Sequence, residues 1–476
     1  MSPLTFGGLE IMQENHSATQ TGTPNKLADF PIRTLILSMG MPMVLSMVLQ
    51  AVYNIVDTAF VSHMKNGATA VLALTDSYSI QLLIVAVGVG TGIGINALLS
   101  KTLGERNSEK AACIAGNGIF LAICIYAVFL LFGIFGTKPF IAMQANGNAL
   151  RQEMGEQYLR ICCMGSFGSI GYTVYERFLQ GTGRTNLSTI AQITGAALNI
   201  LLDPLFIFGF GWGIKGAAWA TVIGQVASGV LVIVYFCKFR KMYLSGEMLK
   251  PKLSYLGAII SLGLASCINQ IAMAIVQIVL NNILRYYGAN SVYGSDIPIA
   301  CVGVISKVNQ VFMAICIGIS QGSQPIWGFN YGAKKYDRVR QAYRYSVTAC
   351  TVIATIFFFC FQIFPHQIVG IFGTGSDLYF QFAERYLKIF MFMTFANGIQ
   401  PVSSGFFTSI GMAKLGIVMS LTRQVIFLLP LIIIFPLFMG IDGVMYAGPI
   451  ADAAAFVLAI VFARRELGKM RSAEIV

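Results

Sequence analysis

Apolar residues occur along this chain in long runs that short polar segments separate. Twelve runs are long enough to cross a bilayer as helices, since a membrane span needs about 20 mostly apolar residues. Their predicted bounds are 34–61, 72–100, 110–136, 152–179, 188–210, 216–238, 255–284, 297–326, 341–364, 379–410, 416–439 and 443–463. The pattern therefore predicts an all-α polytopic membrane protein with twelve transmembrane helices.

The composition supports this prediction. Of the 476 residues, 56% are hydrophobic and 11% are charged, whereas a soluble domain has about 25% charged residues. Residues 1–33 are polar and lack the pattern of a secretory signal, so we expect a disordered tail there.

Metal-ligating and nucleophilic residues are sparse. Ten cysteines lie mostly inside apolar runs without a CxxC pair, and three histidines fall in the tail or in loops. Buried, unreactive thiols are the favoured interpretation. We expect neither an enzyme nor a cofactor, because an intramembrane enzyme needs a nucleophile or metal set at one depth.

Basic residues indicate the orientation. Lysine and arginine concentrate at the C-terminus and after spans 2, 4, 6, 8 and 10, and the other connections hold few. By the positive-inside rule both termini are cytoplasmic. The net charge of +12 then requires no nucleic acid.

The chain resembles itself at a shift of about 228 residues. The segment "FLQGTGRTNL" aligns with "FFTSIGMAKL" at that shift, and "GIKGAAWAT" aligns with "GIDGVMYAG" at a shift of 227. Six spans per repeat predict two pseudo-symmetric six-helix bundles of the same orientation, with a substrate path between them. The predicted units are a tail, a first bundle, a basic cytoplasmic linker, a second bundle and a cytoplasmic tail, at 1–33, 34–238, 239–252, 253–465 and 466–476.

Five polar side chains in the first bundle fall at one predicted depth in the membrane. Tyr53 and Asp57 are four residues apart, as are Asn199 and Asp203, so each pair shares a helix face. Thr221 lies at a compatible depth in span 6. These oxygen donors suit a monovalent cation such as Na⁺ or a shared proton; the alternative is that each group only bonds a neighbouring helix.

Asp203 has no counterpart in the second repeat. At the shift of 227 it aligns with Pro430, so the shared architecture does not require this carboxylate. An unpaired charge in the bilayer costs roughly 2.5–3.5 kcal/mol. A functional role for Asp203 is therefore favoured.

The second bundle has ionisable residues of its own. Lys307 and Asp452 lie mid-span at similar depth. We expect them to form an ion pair that either stabilises helix packing or takes part in transport. Arg423 lies about one or two turns into span 11, and we expect it to extend to the cytoplasmic interface without a functional role.

Several motifs resemble those of the multidrug and toxic compound extrusion (MATE) family, and of its MepA-like bacterial branch in particular. They are "VYNIVDTAFV", "LNILLDPLFIFG", "GIKGAAWAT" and Pro42, fifteen residues before Asp57. The resemblance implies a cation or proton site at Asp57, Asn199, Asp203 and Thr221, and a bend in span 1 at Pro42. Span 7, with "SCINQIAMAIVQIVLNN", lacks the acidic residue of other branches, so the resemblance does not imply a second cation site.

The resulting hypothesis is a secondary active antiporter that exports amphiphilic organic cations in exchange for Na⁺ or H⁺. The drug would bind between the bundles, among adaptable methionine and aromatic side chains. From the resemblance we expect a multi-pass, lipid-embedded monomer of the bacterial inner membrane without a cofactor. The alternative is a flippase for a lipid-linked saccharide, which would need cationic side chains in the cleft.

Overall fold

The computed structural model describes residues 26–64, 67–145, 148–239, 250–371 and 376–475. These residues are mainly helical, and none of them lies in a β-strand. Most of the predicted N-terminal tail (1–25) and of the predicted linker (240–249) lies outside the described residues.

Twelve membrane helices, α1 to α12, form two six-helix lobes, and several of them contain a break or a π-helical segment. The first lobe comprises α1 (Ile32–Ser62), α2 (Gly67–Gly104), α3 (Ser108–Leu131, Phe132–Gly136 and Thr137–Gln144), α4 (Ala149–Met164 and Ser166–Gly181), α5 (Thr185–Pro204 and Leu205–Gly209) and α6 (Ile214–Phe239). The second lobe comprises α7 (Leu253–Ala289), α8 (Asp296–Gly332), α9 (Tyr336–Ile363), α10 (Asp377–Phe390, Thr394–Asn397 and Ile399–Ser409), α11 (Ala413–Leu421, Thr422–Leu428 and Leu429–Met439) and α12 (Ile441–Ile475).

Ten helices in the described part are long and apolar enough to cross a membrane. The other two, α4 and α10, are interrupted at related positions, after Met164 and after Phe390. At the first break, Gly165 packs closely against Val222 of α6. A Cβ on Gly165 would lie 2.5 Å from the Val222 side chain. The predicted fold class of twelve helices in two pseudo-symmetric bundles is confirmed.

The end of the predicted N-terminal tail is helical. A short helix, Lys26–Asp29, precedes α1, and Leu27 is buried. Arg338 at the start of α9 donates through Nη2 to the carbonyl oxygens of Leu27 at 3.3 Å and Phe30 at 2.7 Å. The prediction of disorder is therefore wrong for residues 26–33, because the second lobe binds their backbone. The predicted C-terminal tail likewise continues α12 as far as Ile475.

The two lobes contact each other through α1 with α8 and α2 with α7, and also through α2 with α8. A Cβ on Gly104 would lie 2.0 Å from the carbonyl oxygen of Phe329, and one on Gly332 would lie 2.0 Å from that of Lys101. The two glycines are related by the repeat and lie at the end of the molecule that carries the basic loops, here called the basic end. Only residues without a side chain permit this approach of α2 to α8.

One face of α8 shows that the lobes separate away from the basic end. Gly318 and Gly322 on this face touch the backbone of α1 closely enough to exclude a Cβ. Lys307 lies about three helical turns before Gly318 on the same face and is exposed. The space between the lobes is thus closed at the basic end and opens toward the opposite end.

Gly332→Ala is expected to lower the melting temperature of the purified protein, since overpacking of this kind costs about 1–3 kcal/mol. Gly257→Ala is the matched control, because a Cβ there meets nothing within 4 Å. The control is expected to be neutral or slightly stabilising. Equal melting temperatures for the two variants would contradict a lobe contact that depends on this close approach.

Candidate functional site

Asp57 of α1 and Asp203 of α5 meet inside the first lobe. Their carboxyl groups lie close enough to interact directly with each other. Asp203 is fully buried, and Oδ1 of Asp57 is buried without a hydrogen-bond partner among the described residues. Two carboxyl groups in contact need a proton or a cation between them, since two carboxylates repel each other strongly in an apolar interior.

The other three predicted side chains surround this carboxyl pair. In the orientation that satisfies its amide, Asn199 donates to Oδ2 of Asp203 at 3.3 Å and accepts from the backbone N–H of Thr221 at 3.1 Å. The hydroxyl of Thr221 donates to the carbonyl oxygen of Ala217 at 3.0 Å and lies beside the side chain of Tyr53. The structure thus brings all five residues together, and their role in ion binding stays a prediction.

Local packing of α5 on α6 positions this cluster. A Cβ on Gly195 would lie 1.8 Å from Oγ of Ser228, and one on Gly224 would lie 3.1 Å from Cβ of Asn199. These glycines allow the two helices to approach, so that Asn199 reaches the backbone of α6. Pro204, next to Asp203, lacks an N–H, and α5 continues beyond it as the π segment Leu205–Gly209.

Residues of α4 that the sequence pattern does not predict to belong to the site lie beside this cluster. Tyr158 and Cys162 lie close enough to Asp57 to interact with it electrostatically. Gln81 of α2 donates to Sγ of Cys162 at 3.6 Å. Tyr158 belongs to a segment rich in charged residues, so the apolar pattern does not distinguish it.

The predicted Lys307–Asp452 ion pair is wrong. Asp452 pairs instead with Arg423, whose Nε lies 2.5 Å from Oδ1, and Asn397 donates to Oδ2 at 3.3 Å. Arg423 is 6% exposed, so the expectation that it extends to the interface is also wrong. Lys307 is exposed on the face of α8 that borders the space between the lobes, and similar depth alone does not bring it to Asp452.

A second buried charged group crosses the contact between the lobes. Arg177 of α4 donates through Nη1 to Gln321 of α8 at 3.2 Å and to Gln180 at 2.9 Å. Gln180 in turn donates to Glu176 at 2.8 Å, and both charged side chains are buried. The apolar pattern predicts a span here but does not show which polar residues face the other lobe.

Pro42 lies inside α1, which is helical on both sides of it. Its side chain is partly buried, and the nearby Met39 and Met43 are fully buried. The bending role of Pro42 stays a prediction.

Comparison with known sequences identifies the family. The chain matches the MatE sequence profile over residues 42–205 and 265–434, which together cover more than two thirds of its length. The two matched ranges fall in the two lobes. The chain belongs to the MatE family.

Two proteins related to this chain are named as multidrug export proteins. The multidrug export protein MepA of Staphylococcus aureus is 24% identical over 450 residues, covering 94% of this MatE chain and 97% of that protein. MepA of Staphylococcus haemolyticus is 23% identical over 427 residues, covering 89% and 92%.

Solved transporter structures share the fold of this chain. A multidrug resistance transporter in an outward-facing conformation superposes with a TM-score of 0.87 at 20% identity, covering 95% of this chain and 100% of that one. A MOP superfamily transporter from Pyrococcus furiosus superposes with a TM-score of 0.85, also at 20% identity with 95% and 100% coverage.

Asp452→Asn is expected to lower the melting temperature far more than Lys307→Met. Removing one partner of a buried ion pair costs about 3–5 kcal/mol because the other charge stays buried. A change at an exposed position usually costs less than about 0.5 kcal/mol. Thermal unfolding of the purified variants measures the difference, and an equal loss in both would contradict the Arg423–Asp452 pairing.

Proposed function

We propose that this chain is a secondary active exporter of amphiphilic organic cations, which it exchanges for Na⁺ or H⁺ by alternating access. The observation that carries the proposal is the contact between the carboxyl groups of Asp57 and Asp203. The multidrug export names of its relatives support the substrate class.

The carboxyl cluster has the chemistry of an exchangeable ion site. Carboxyl oxygens from two helices, the amide of Asn199 and the oxygens of Thr221 and Tyr53 are hard donors, which suit a proton or Na⁺ better than a transition metal. One proton between the carboxyl groups, or one Na⁺, removes their repulsion. Loss of that ion restores the repulsion and favours separation of α1 from α5.

The position of α1 connects the ion site to the contact between the lobes. Asp57 lies near one end of α1, and the other half of this helix packs against α8 at the basic end. A charge change at Asp57 therefore acts on a helix that also closes the basic end. Bending at Pro42 between these two parts would let ion loss and lobe opening occur together.

The substrate would enter and leave through the space between the lobes. We propose that the basic end faces the cytoplasm, in line with the positive-inside rule, and that the space between the lobes then opens to the outside of a bacterial inner membrane. We propose a monomer surrounded by lipid, without nucleic acid or a further cofactor. The relatives' names do not favour a flippase for lipid-linked saccharides.

Asp203→Asn and Asp57→Asn are each expected to abolish ion-driven ethidium export from proteoliposomes, measured under separately imposed Na⁺ and pH gradients. Neither variant retains the pair of carboxyl groups that exchanges the ion. Asp337→Asn is the matched control, because that carboxylate is 86% exposed at the basic end. Full export by both site variants would contradict the proposal, and export under only one gradient in the wild type identifies the ion.

Lys307→Met is expected to lower the KM for ethidium by several-fold without changing the dependence on the ion gradient. Lys307 places a positive charge on the cleft face of α8, where it repels a cationic substrate. Lys307→Arg, which keeps the charge, is the control. An unchanged KM in the methionine variant would show that the substrate path avoids this face.

A further inference from the structure

The second lobe contains a buried polar cluster about one helical turn nearer the basic end than the counterpart of the first lobe's ion site. Tyr158 and Tyr386 lie 228 residues apart, in the first segments of α4 and α10, which begin at Ala149 and Asp377. Both tyrosines are at least 96% buried. Tyr158 borders Asp57, whereas Tyr386 borders Arg423.

The charges of the second cluster have no counterpart in the first repeat. At the shift of 228 that aligns the starts of α5 and α11, Arg423 corresponds to Gly195. At the shift of 227 that aligns α6 with α12, Asp452 corresponds to Gln225. The shared architecture therefore requires neither charge.

The geometry gives Asp452 a complete set of partners. Arg423 binds Oδ1 through Nε at 2.5 Å, and Asn397 donates to Oδ2 at 3.3 Å. All three side chains are at least 94% buried. Tyr386 is the other titratable group beside Arg423, and its hydroxyl has no hydrogen-bond partner among the described residues.

We propose that the guanidinium of Arg423 is a tethered cation that permanently neutralises the buried carboxylate of the second lobe, so that the coupling ion binds in the first lobe alone. This inference rests on the proposed ion exchange at Asp57 and Asp203. An arginine keeps its proton in proteins and is covalently held. The second lobe thus has a charge-balanced carboxylate that neither takes up nor releases an ion during transport.

The test first removes the two carboxyl groups of the first lobe's site and then removes the arginine that neutralises Asp452. In a background of Asp57→Asn with Asp203→Asn, the melting temperature of the detergent-purified protein is measured against Na⁺ at fixed ionic strength, and against pH without Na⁺. We expect little dependence on either. Adding Arg423→Gln leaves Asp452 without its cation, so added Na⁺ or acidification is expected to raise the melting temperature by a few degrees.

Two further variants in the same background serve as controls. Adding Asp452→Asn to Arg423→Gln is expected to remove the new ion dependence, because no carboxylate remains in the cluster. Arg423→Lys keeps a tethered cation and is expected to create none. A melting temperature of the Arg423→Gln variant that stays insensitive to both ions would overturn the proposal.

A transport measurement keeps the proposal falsifiable if the Arg423→Gln variant does not fold. Arg423→Gln with Asp452→Asn, in a protein with an intact first lobe, removes both charges of the pair and is expected to fold. Its number of coupling ions per exported substrate is expected to equal that of the wild type, and a lower number would overturn the inference. Absence of ion-driven export in the wild type would instead count against the proposed function.

Discussion

A carboxyl group in the apolar interior of a membrane protein needs a proton or a positive charge beside it, and the two lobes meet this requirement differently. In the first lobe Asp57 and Asp203 face each other, and in the described residues no cationic side chain pairs with either. In the second lobe Arg423 binds Asp452 directly. A mobile ion can neutralise the carboxyl pair of the first lobe, whereas in the second lobe Arg423 already neutralises Asp452.

The two lobes differ in buried charge, but their helices pack against each other symmetrically. Gly104 and Gly332 allow α2 and α8 to touch at the basic end, and Asn96 donates to Gln324, its equivalent in the second repeat, at 3.4 Å. The lobes thus share their helix positions and their contact surface but differ in buried charge. An ion that acts on the first lobe alone can therefore change how two similar lobes meet.

The periodic features of the chain could be predicted from sequence, and side-chain pairings only in part. Long apolar runs and the repeat predict twelve helices in two lobes, and i,i+4 spacing places Asn199 beside Asp203. The partner of Asp452 could not be predicted, because depth along a helix does not determine which face is turned toward a neighbour. The same limit applies to Arg177, whose partner Gln321 belongs to the other lobe.

The most direct test of the central claim, an exchangeable ion at the Asp57–Asp203 pair, needs no gradient. Ethidium is added to the purified protein in weakly buffered detergent solution, and released protons and displaced ²²Na⁺ are measured. We expect substrate binding to release H⁺ or Na⁺ in the wild type and to release neither in Asp203→Asn. Substrate binding by the wild type without release of either ion would contradict the account.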